Sequence, residues 1–200
     1  MIVTIGREHG SNGHLIATGL AEELGYRCYD KEIVEAAAKN SKFARSIMDH
    51  YDEKRISPFI SASPHMLDLG ETFQLSTQIA SAQFDAIRML AEEGDGIFVG
   101  RCADYVLRKR DDLLRVFITA PLESRIATMM ERQQLSYEQA RKLIRQVDKD
   151  RASYYRYYTD QSWGEIDNFD LCINSACTGI DGAVMAIAGV VRCVQKHRES

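Results

Sequence analysis

Short apolar runs alternate with amphipathic stretches along most of this chain. Residues 2–5 form an apolar run that predicts a buried strand. The apolar positions after it recur every three or four residues and stop at Gly25, which predicts a helix with a glycine at its C-terminal end. Residues 97–100 and 115–119 resemble central parallel strands, because their apolar residues are consecutive rather than alternating.

The same patterns predict further elements. They are a short strand at 26–30, a helix that begins at Asp30, a long helix through 73–91, helices that begin near Pro121 and at Ser136, a strand at 169–175 and a final helix at about 180–194. Residues 49–70 contain several serine, proline and glycine residues, which predict a loop or mobile flap. Because strands alternate with helices, we expect an α/β fold with a mostly parallel sheet covered on both sides.

Length, charge and cysteine usage narrow the range of functions that the protein could have. The 200 residues suffice for one α/β domain, and a formal net charge of −4 indicates no general affinity for nucleic acid. Apolar runs are short and the N-terminus lacks a signal-peptide pattern, so we expect a cytoplasmic protein without a membrane partner. The cysteines and histidines have no metal-ligand spacing, so we expect no metal site. We expect Cys28, Cys102 and Cys172, which lie in or beside apolar runs, to be buried thiols.

The segment IVTIGREHGSNGH passes from the first strand into a glycine-rich loop. Gly10, Ser11, Asn12 and Gly13 precede the helix, where converging backbone N–H groups bind phosphate. An ordinary strand-to-helix turn favours the same residue types. His14 stands where such a loop usually has lysine, and an imidazole is only partly charged near neutral pH.

Arg101 and Asp104 follow the strand at 97–100. Ligands of open α/β sheets bind at the carboxyl ends of strands, so these two side chains could contact a phosphate and a polar edge of one ligand. An Arg–Asp pair that fixes the strand to its helix explains the same residues. Asp30 has two interpretations as well, a helix cap or a ligand contact, and the cap is the simpler one.

A third charged cluster lies in the segment RQVDKDRASYYRYYTD. Arg145, Asp148 and Arg151 are spaced three apart and therefore share one helical face, and Arg156 follows among four tyrosines. Arginine and tyrosine side chains could clamp phosphates and a base. A solvated charged helix is the alternative that such runs favour. The same two interpretations apply to Arg132 on the preceding helix.

Together, five segments resemble the cytidylate kinase-like family, a branch of the P-loop nucleoside monophosphate kinases. The segments are TIGREHGSNGHLIA, YDKEIV, FVGRCADYVL, DKDRASYYRYYTDQSW and FDLCINS. They occur in the family's order and extend over residues 1 to about 180. The resemblance is therefore more specific than the loop alone.

The resemblance implies a three-layer α/β/α fold with a five-stranded parallel sheet in a single domain. The core would comprise 1–30, 94–131 and 168–200, with a helical insertion that binds the nucleoside monophosphate at 31–93 and a lid at 132–158. The implied reaction transfers a phosphoryl group from ATP, with Mg²⁺, to a nucleoside monophosphate. CMP and dCMP are the expected acceptors.

The resemblance also implies roles for individual residues. Gly10, Ser11, Asn12, Gly13 and His14 would hold the donor phosphates. Candidate acceptor contacts are Asp30, Arg101, Asp104 and Asp148, and the candidate catalytic lid arginines are Arg132, Arg151 and Arg156. Asp148 or Asp150 would contact the cytosine amino group or orient an arginine.

The chain departs from the family pattern at the sites that matter for catalysis. His14 replaces the loop lysine, and Leu15 replaces a hydroxyl residue. Val99 and Cys102 stand where cytidylate kinases have aspartates beside Gly-Arg, so the acidic group expected near Mg²⁺ is missing. Two functions remain open: a nucleoside monophosphate kinase, or a nucleotide-binding regulatory module with little turnover. A kinase for a non-nucleotide alcohol is a third. The sequence gives no indication of oligomeric state.

Overall fold

The computed structural model describes residues 1–30, 32–33 and 69–198. Its strands are β1 (Ile2–Arg7), β2 (Arg27–Tyr29), β3 (Gly96–Val99), β4 (Leu113–Thr119) and β5 (Leu171–Asn174). Its helices are α1 (Gly13–Leu24), α2 (Leu69–Glu92), α3 (Ala103–Val106), α4 (Leu122–Gln133), α5 (Tyr137–Thr159) and α6 (Ser175–Arg198), with a short 3₁₀ helix at Ile166–Asn168.

The five strands form one parallel sheet in the order β2-β3-β1-β4-β5. Strand β1 lies at its centre, where Ile5 is in register with Val99 of β3 on one side and with Val116 of β4 on the other. The α/β fold with a five-stranded parallel sheet is thus confirmed. Because the strands are parallel, their carboxyl ends lie at the same edge of the sheet, and the loops that follow β1, β2 and β3 meet there.

Most of the predicted elements lie within a few residues of the observed ones. The final helix begins at Ser175, earlier than predicted, and it includes a kink at Gly179, whose φ of 68° lies in the left-handed region. Pro121 is the N-cap of α4 and so precedes the helix's first turn. The flap predicted at 49–70, most of the helix predicted from Asp30 and much of the insertion at 31–93 lie outside the described residues.

One face of the sheet packs against α1 and α6. The apolar positions of α1 predicted from its periodicity, Ile16 and Leu20 among them, are fully buried there. They meet Val3 and Ile5 of β1 and Ile187 of α6 in one hydrophobic cluster. This packing fixes the start of α1 relative to the end of β1, and so it determines the shape of the loop between them.

The other face of the sheet is covered by α2 and α3. Ile87 of α2 is fully buried in a second cluster with Ile2 and Phe98, and the ring of Tyr29 stacks on that of Phe98 with centroids 4.7 Å apart. Helices on both faces give the three-layer α/β/α arrangement. The carboxyl end of β3 and the start of α3 are thereby held beside β1.

Helices α4 and α5 form a hairpin beside the sheet. Ile126 and Met129 of α4 pack against Ala140 and Ile144 of α5 in a small cluster of their own. Ser136 opens α5 with the predicted capping box, in which its hydroxyl accepts from the N–H of Gln139 and the Gln139 side chain accepts from the N–H of Ser136. The predicted lid, 132–158, corresponds to the end of α4 and nearly all of α5.

Of the three cysteines expected to be buried, Cys102 alone is fully so. Cys172 is exposed rather than buried, because β5 is an edge strand whose alternate side chains point away from the core, whereas Cys102 is buried and Cys28 partly buried. All five cysteines are free thiols. Among the described residues, α6 is the one helix long and apolar enough, by length and composition alone, to cross a membrane. In this fold, Ile187 and Val191 of α6 are fully buried.

We expect alanine at Gly13 and Gly189 to have opposite effects on stability. A Cβ at Gly13 would lie 2.4 Å from the Cβ of Arg7, so Gly13→Ala should lower the free energy of unfolding by roughly 1–3 kcal/mol, as overpacking does. Gly189 lies within α6 with no atom within 4 Å of the added Cβ, so Gly189→Ala should raise it by about 0.5–1 kcal/mol. Urea denaturation measures both changes. Equal effects at the two positions would contradict the packing described between β1 and α1.

Candidate functional site

The loop after β1 is tightly enclosed by neighbouring chain. Gly10 has a φ of 83°, and a Cβ there would lie 2.9 Å from the carbonyl oxygen of Arg125. Asn12 is also left-handed, with a φ of 63°, and it precedes the first residue of α1, Gly13. Glycine is therefore required at Gly10 both by backbone conformation and by space.

The buried side chain of Ser11 anchors the loop to the rest of the protein. Its side chain is fully buried, and its Oγ lies 2.9 Å from the carbonyl oxygen of Glu8 and 3.1 Å from that of Ile118, either of which accepts its proton. The hydroxyl of Ser175, at the start of α6, donates to the carbonyl of Ser11 over 2.7 Å. Ser11 is thus held by β4 and α6, and its side chain does not face a ligand.

The start of α1 faces the space above the loop. The first turn of a helix has N–H groups without acceptors inside the helix, and the helix dipole adds partial positive charge there. Gly13 and His14 occupy this turn. The strand, the left-handed residues and the helix start therefore form an arrangement that suits an anion.

His14 extends from α1 toward the end of β2. Its side chain is 61% exposed, and its Nδ1 lies 3.5 Å from Oδ2 of Asp30. Leu15 is also exposed. The hydroxyl of Thr18 donates to the carbonyl of His14 over 2.7 Å, so it is used within α1 and does not replace the missing loop hydroxyl.

The α4–α5 hairpin brings Arg132 to the loop. Its Nη2 donates to Oδ1 of Asn12 over 2.6 Å, although the two residues are 120 positions apart. Arg156 is placed differently. It lies on the exposed side of α5, and within the described part of the chain no hydrogen bond joins its side chain to the loop.

An ion-pair network links the loop, α4 and α5, and the sequence patterns did not indicate it. Arg125 is 8% exposed and donates to Oδ2 of Asp148 over 2.5 Å, and its Nη2 lies 3.3 Å from Oε1 of Glu8. Glu8 in turn accepts from the hydroxyl of Thr119 and from the N–H of Ala120. Glu8 stands where the phosphate-loop pattern has its first glycine, and that substitution was the available signal.

Asp148 is an anchor at the loop. Besides binding Arg125, its Oδ1 accepts from the backbone N–H of His9 over 2.8 Å and lies 3.9 Å from Nη1 of Arg151. One carboxylate thus contacts the loop and two arginines, and the expectation that Asp148 orients an arginine matches this geometry. Burial and the nearby Arg151 guanidinium lower the pKa of the His9 imidazole, so its neutral form is favoured.

Arg151 connects α5 to the end of β1. Its Nη1 donates to the carbonyl of Arg7 over 2.7 Å. Burial lowers the pKa of the Arg151 guanidinium, and the carboxylates of Asp148 and Asp30 offset only part of this effect. Arg7, the last residue of β1, lies among these charges, with Arg151, Asp30 and Arg101 near its guanidinium.

Arg101 lies in a turn of unusual backbone conformation. Gly100, Arg101 and Cys102 have φ values of 72°, 57° and 55°, so three successive residues are left-handed. Glycine adopts this conformation readily, but it costs Arg101 and Cys102 of order 1 kcal/mol each, and such residues persist where the surrounding structure holds them. Here Gly100 donates its N–H to the carbonyl of Ile5 in β1, and its carbonyl accepts from the N–H of Ala103. The turn carries Arg101 to the same sheet edge as the loop.

Asp104 faces the interior. It is 7% exposed, and its Oδ2 accepts from the hydroxyl of Tyr155 over 2.6 Å. Burial raises the pKa of the Asp104 carboxyl, and the Tyr155 hydroxyl partly offsets this effect. The structure therefore places Asp104 in a buried pair with Tyr155 of α5, and not in the Arg101–Asp104 pair that the structural alternative predicts.

The described residues do not fit a Mg²⁺ ion held by protein ligands. They contain no group of three His, Cys, Asp or Glu side chains close enough to share an ion. Leu15 occupies the position of the loop hydroxyl, and Asp104 is engaged with Tyr155. A Mg²⁺ ion that enters with a nucleotide would depend on phosphate oxygens, as this ion commonly does.

Comparisons with known proteins agree on one family. A family model described as the cytidylate kinase-like family matches residues 2–176. The cytidylate kinase of Methanothrix thermoacetophila is 26% identical over 195 residues, which cover 98% of this chain and 100% of that protein. The cytidylate kinase of Natronomonas pharaonis is 27% identical, with 96% and 89% covered.

Solved structures agree with the fold. An uncharacterized protein from Eubacterium ventriosum ATCC 27560 is 28% identical and superposes with a TM-score of 0.74, covering 96% of this chain and 98% of that one. A shikimate kinase from Bacteroides thetaiotaomicron superposes with a TM-score of 0.56 over the same shares at 13% identity, a likeness of fold.

Removal of the Asp148 carboxylate should destabilise the protein. Asp148→Ala leaves the buried Arg125 with one carboxylate partner fewer and the His9 N–H without its acceptor, so we expect a loss of roughly 2–4 kcal/mol. Asp150→Ala, two residues along α5, is the matched control, because Asp150 accepts only an exposed hydrogen bond from Gln146. Urea denaturation gives both values. Similar losses in the two variants would show that the network does not join α5 to the loop.

The stability of the protein should depend on the ionisation of Asp104. Its pKa is raised by folding, so the folded state binds this proton more tightly than the unfolded state, in which the carboxyl has its ordinary pKa near 3.8. The stabilisation is complete below that value and is lost as pH rises through the folded pKa. We therefore expect the stability of the wild type relative to Asp104→Asn to fall between about pH 4 and neutrality. A difference that stays flat over that range would contradict the buried assignment.

Proposed function

The chain belongs to the cytidylate kinase-like family, and we propose that it is an ATP-dependent phosphotransferase that acts on a nucleoside monophosphate, with CMP or dCMP as the preferred acceptor. One observation carries this proposal. The glycine loop after β1, Arg101 after β3, and Arg132 and Arg151 from the α4–α5 hairpin converge at one edge of the sheet.

The donor phosphates would bind at the loop. The backbone of Gly10 to His14 supplies N–H groups and the start of α1, while Arg132 crosses the loop through its contact with Asn12. Because Arg132 comes from the lid region, its position over the loop depends on how the hairpin lies. An arginine carried by the hairpin can therefore be placed at the transferred phosphoryl group, where it would neutralise negative charge.

The acceptor would bind on the other side of the loop, at the ends of β2 and β3. Arg101 would contact its phosphate, and Asp30 is the carboxylate nearest His14. Asp148 is bound to Arg125 and to the loop, so we assign it to holding the lid helix rather than to the base. The preference for cytosine rests on the cytidylate kinase relatives.

The proposed reaction requires little covalent chemistry from the protein. A phosphate oxygen of CMP attacks the γ-phosphorus of ATP, the bond from that phosphorus to the β,γ-bridging oxygen breaks, and CDP and ADP are released. The two substrates must lie in line, and cations must neutralise the charge of the transferred group. The loop provides the position, and Arg132 and Arg151 provide cations from the lid. Arg156 would join them only if α5 moved.

A second candidate is a nucleotide-binding module with little turnover. The observation that favours it is that His14 replaces the loop lysine and that its imidazole lies 3.5 Å from the carboxylate of Asp30, while Asp104 is buried against Tyr155. Such a module would bind nucleotides through the loop but would lack part of the charge needed at the γ-phosphoryl group.

A panel of acceptors separates the two candidates. ADP release is measured with ATP, Mg²⁺ and each of CMP, dCMP, UMP, AMP and GMP, with shikimate as a non-nucleotide acceptor. We expect CMP or dCMP to give the highest kcat/KM. Thermal stabilisation by ATP and CMP without ADP release supports the binding module instead. Neither stabilisation nor ADP release would refute both candidates.

Arg132 provides the test of mechanism. Arg132→Met should lower kcat with CMP by about 10²–10³-fold, because a guanidinium at the transferred group acts mainly in the transition state. Arg192→Met is the matched control, since Arg192 pairs with Glu23 on the α1–α6 side of the sheet, and we expect it to stay within about twofold of the wild type. An equal effect of the two substitutions would remove Arg132 from the mechanism.

A further inference from the structure

The side chain of Arg7 runs beneath the start of α1 toward the end of β3. Its Cβ and Cγ lie 2.4 Å and 2.8 Å from where a Cβ of Gly13 would be, and its Nη1 lies 2.0 Å from where a Cβ of Gly100 would be. Two glycines therefore leave a passage for this side chain. The guanidinium emerges between the phosphate loop and the Arg101 turn.

Positive charge exceeds negative charge around this guanidinium. Arg101 and Arg151 both lie close enough to lower the pKa of Arg7, and Asp30 is the carboxylate close enough to raise it. Together with burial, which has the largest effect, they bring the pKa of Arg7 down to about 10. Arg7 still carries its charge at neutral pH, and it does so where water screens that charge poorly.

The described part of the chain offers this cation no direct partner. Its own backbone carbonyl accepts from Arg151, but no carboxylate lies within ion-pair distance of the Arg7 guanidinium, and no hydrogen bond from it to another described residue is present. Arg7 is half-buried, and a guanidinium that is largely removed from water is ordinarily paired. Arg125, by contrast, is buried and has two carboxylate partners. Among the described residues, Arg125 therefore has its partners and Arg7 has none.

We propose that Arg7, together with Arg101 and Arg151, forms a phosphoryl-binding site in which Arg7 supplies the cation that position 14 of the loop lacks. The missing partner of Arg7 is a phosphoryl oxygen of a bound substrate. Arginine suits this task because its planar fork can donate two hydrogen bonds to one phosphoryl group. Because Arg7 belongs to β1, the site is built into the sheet rather than carried on the helix.

Two sources could supply the phosphoryl group, the γ-phosphate of the donor and the phosphate of the acceptor. The guanidinium lies between the loop and the Arg101 turn, so either group reaches it. The inference rests on the proposed function to the extent that it takes these groups from ATP and CMP. The chemistry itself, a phosphoryl anion held by three arginines, does not depend on the nucleoside.

The test compares ligands that differ by one phosphoryl group. Dissociation constants for ATP and ADP, and for CMP and cytidine, are measured by calorimetry with the wild type, Arg7→Met and Arg7→Lys. The remote Arg192→Met is the control. Tripolyphosphate is added as a fifth ligand, because it presents the anion without a nucleoside.

We expect Arg7→Met to weaken either ATP relative to ADP or CMP relative to cytidine by about 10- to 100-fold, as the loss of a charge-assisted contact does. A loss for ATP relative to ADP identifies the donor as the source of the bound phosphoryl group. A loss for CMP relative to cytidine identifies the acceptor. Arg7→Lys should recover most of the loss, and Arg192→Met should change each ratio by less than about threefold, within ordinary surface effects.

Ligand-free stability separates binding from structure. Arg7→Met removes a half-buried charge that has no partner among the described residues, so its melting temperature without ligand should equal or exceed that of the wild type. A lower melting temperature, or affinity losses equal for both members of each pair, would mean that Arg7 only supports the fold. No loss at all would also overturn the site.

Failure of the proposed function has a different signature. If the wild type binds none of the four nucleosides and nucleotides, the proposed function is wrong. Tripolyphosphate binding then tests the three-arginine site without a nucleoside. Weaker binding of tripolyphosphate by Arg7→Met than by Arg192→Met then supports the three-arginine site. Equal binding by both variants, or no binding by the wild type, overturns it.

Discussion

The central position of β1 in the parallel sheet is the constraint on which the rest of this molecule depends. Because β1 pairs with β3 and β4 at once, the loop after it is fixed relative to the turn after β3 and the start of α4. The buried contacts of α1 with the sheet then leave the start of that helix no freedom to move away from the strand. The candidate site is thus a product of backbone pairing and apolar packing, and its charged residues are placed by elements whose own stability comes from burial.

Much of this arrangement can be predicted from the sequence. Periodicity identifies the strands and helices, and local signals such as the capping box at Ser136 and the glycine at Gly25 mark the helix ends, because these depend on near neighbours. The order of segments also indicates the sheet edge at which the loop and Arg101 meet. Cys172 was misjudged, since its apolar neighbours did not reveal that β5 is an edge strand.

The pairing of charges could not be predicted, because it depends on distant parts of the chain. Arg125 and Asp104 are examples. One binds Glu8 from the loop and Asp148 from α5, and the other binds Tyr155, which is 51 positions away. A pattern that suggested a ligand contact for Asp104 and Asp148 therefore marked residues that hold α5 to the core. Arg7, which has no ion-pair partner among the described residues, belongs to a strand, where sequence reasoning expects packing rather than chemistry.

The passage beneath α1 has a consequence for how such chains can diverge. Gly100 has a left-handed backbone and no space for a Cβ beside the Arg7 guanidinium, and Gly13 faces the other end of the same side chain. A larger residue at Gly100 would displace the end of the Arg7 side chain, whereas one at Gly13 would meet the Cβ of Arg7, which any shorter residue except glycine also carries. Gly13 is therefore required by the path of the chain through β1 and α1, and Gly100, much later in the sequence, is tied to the position of the cation at residue 7.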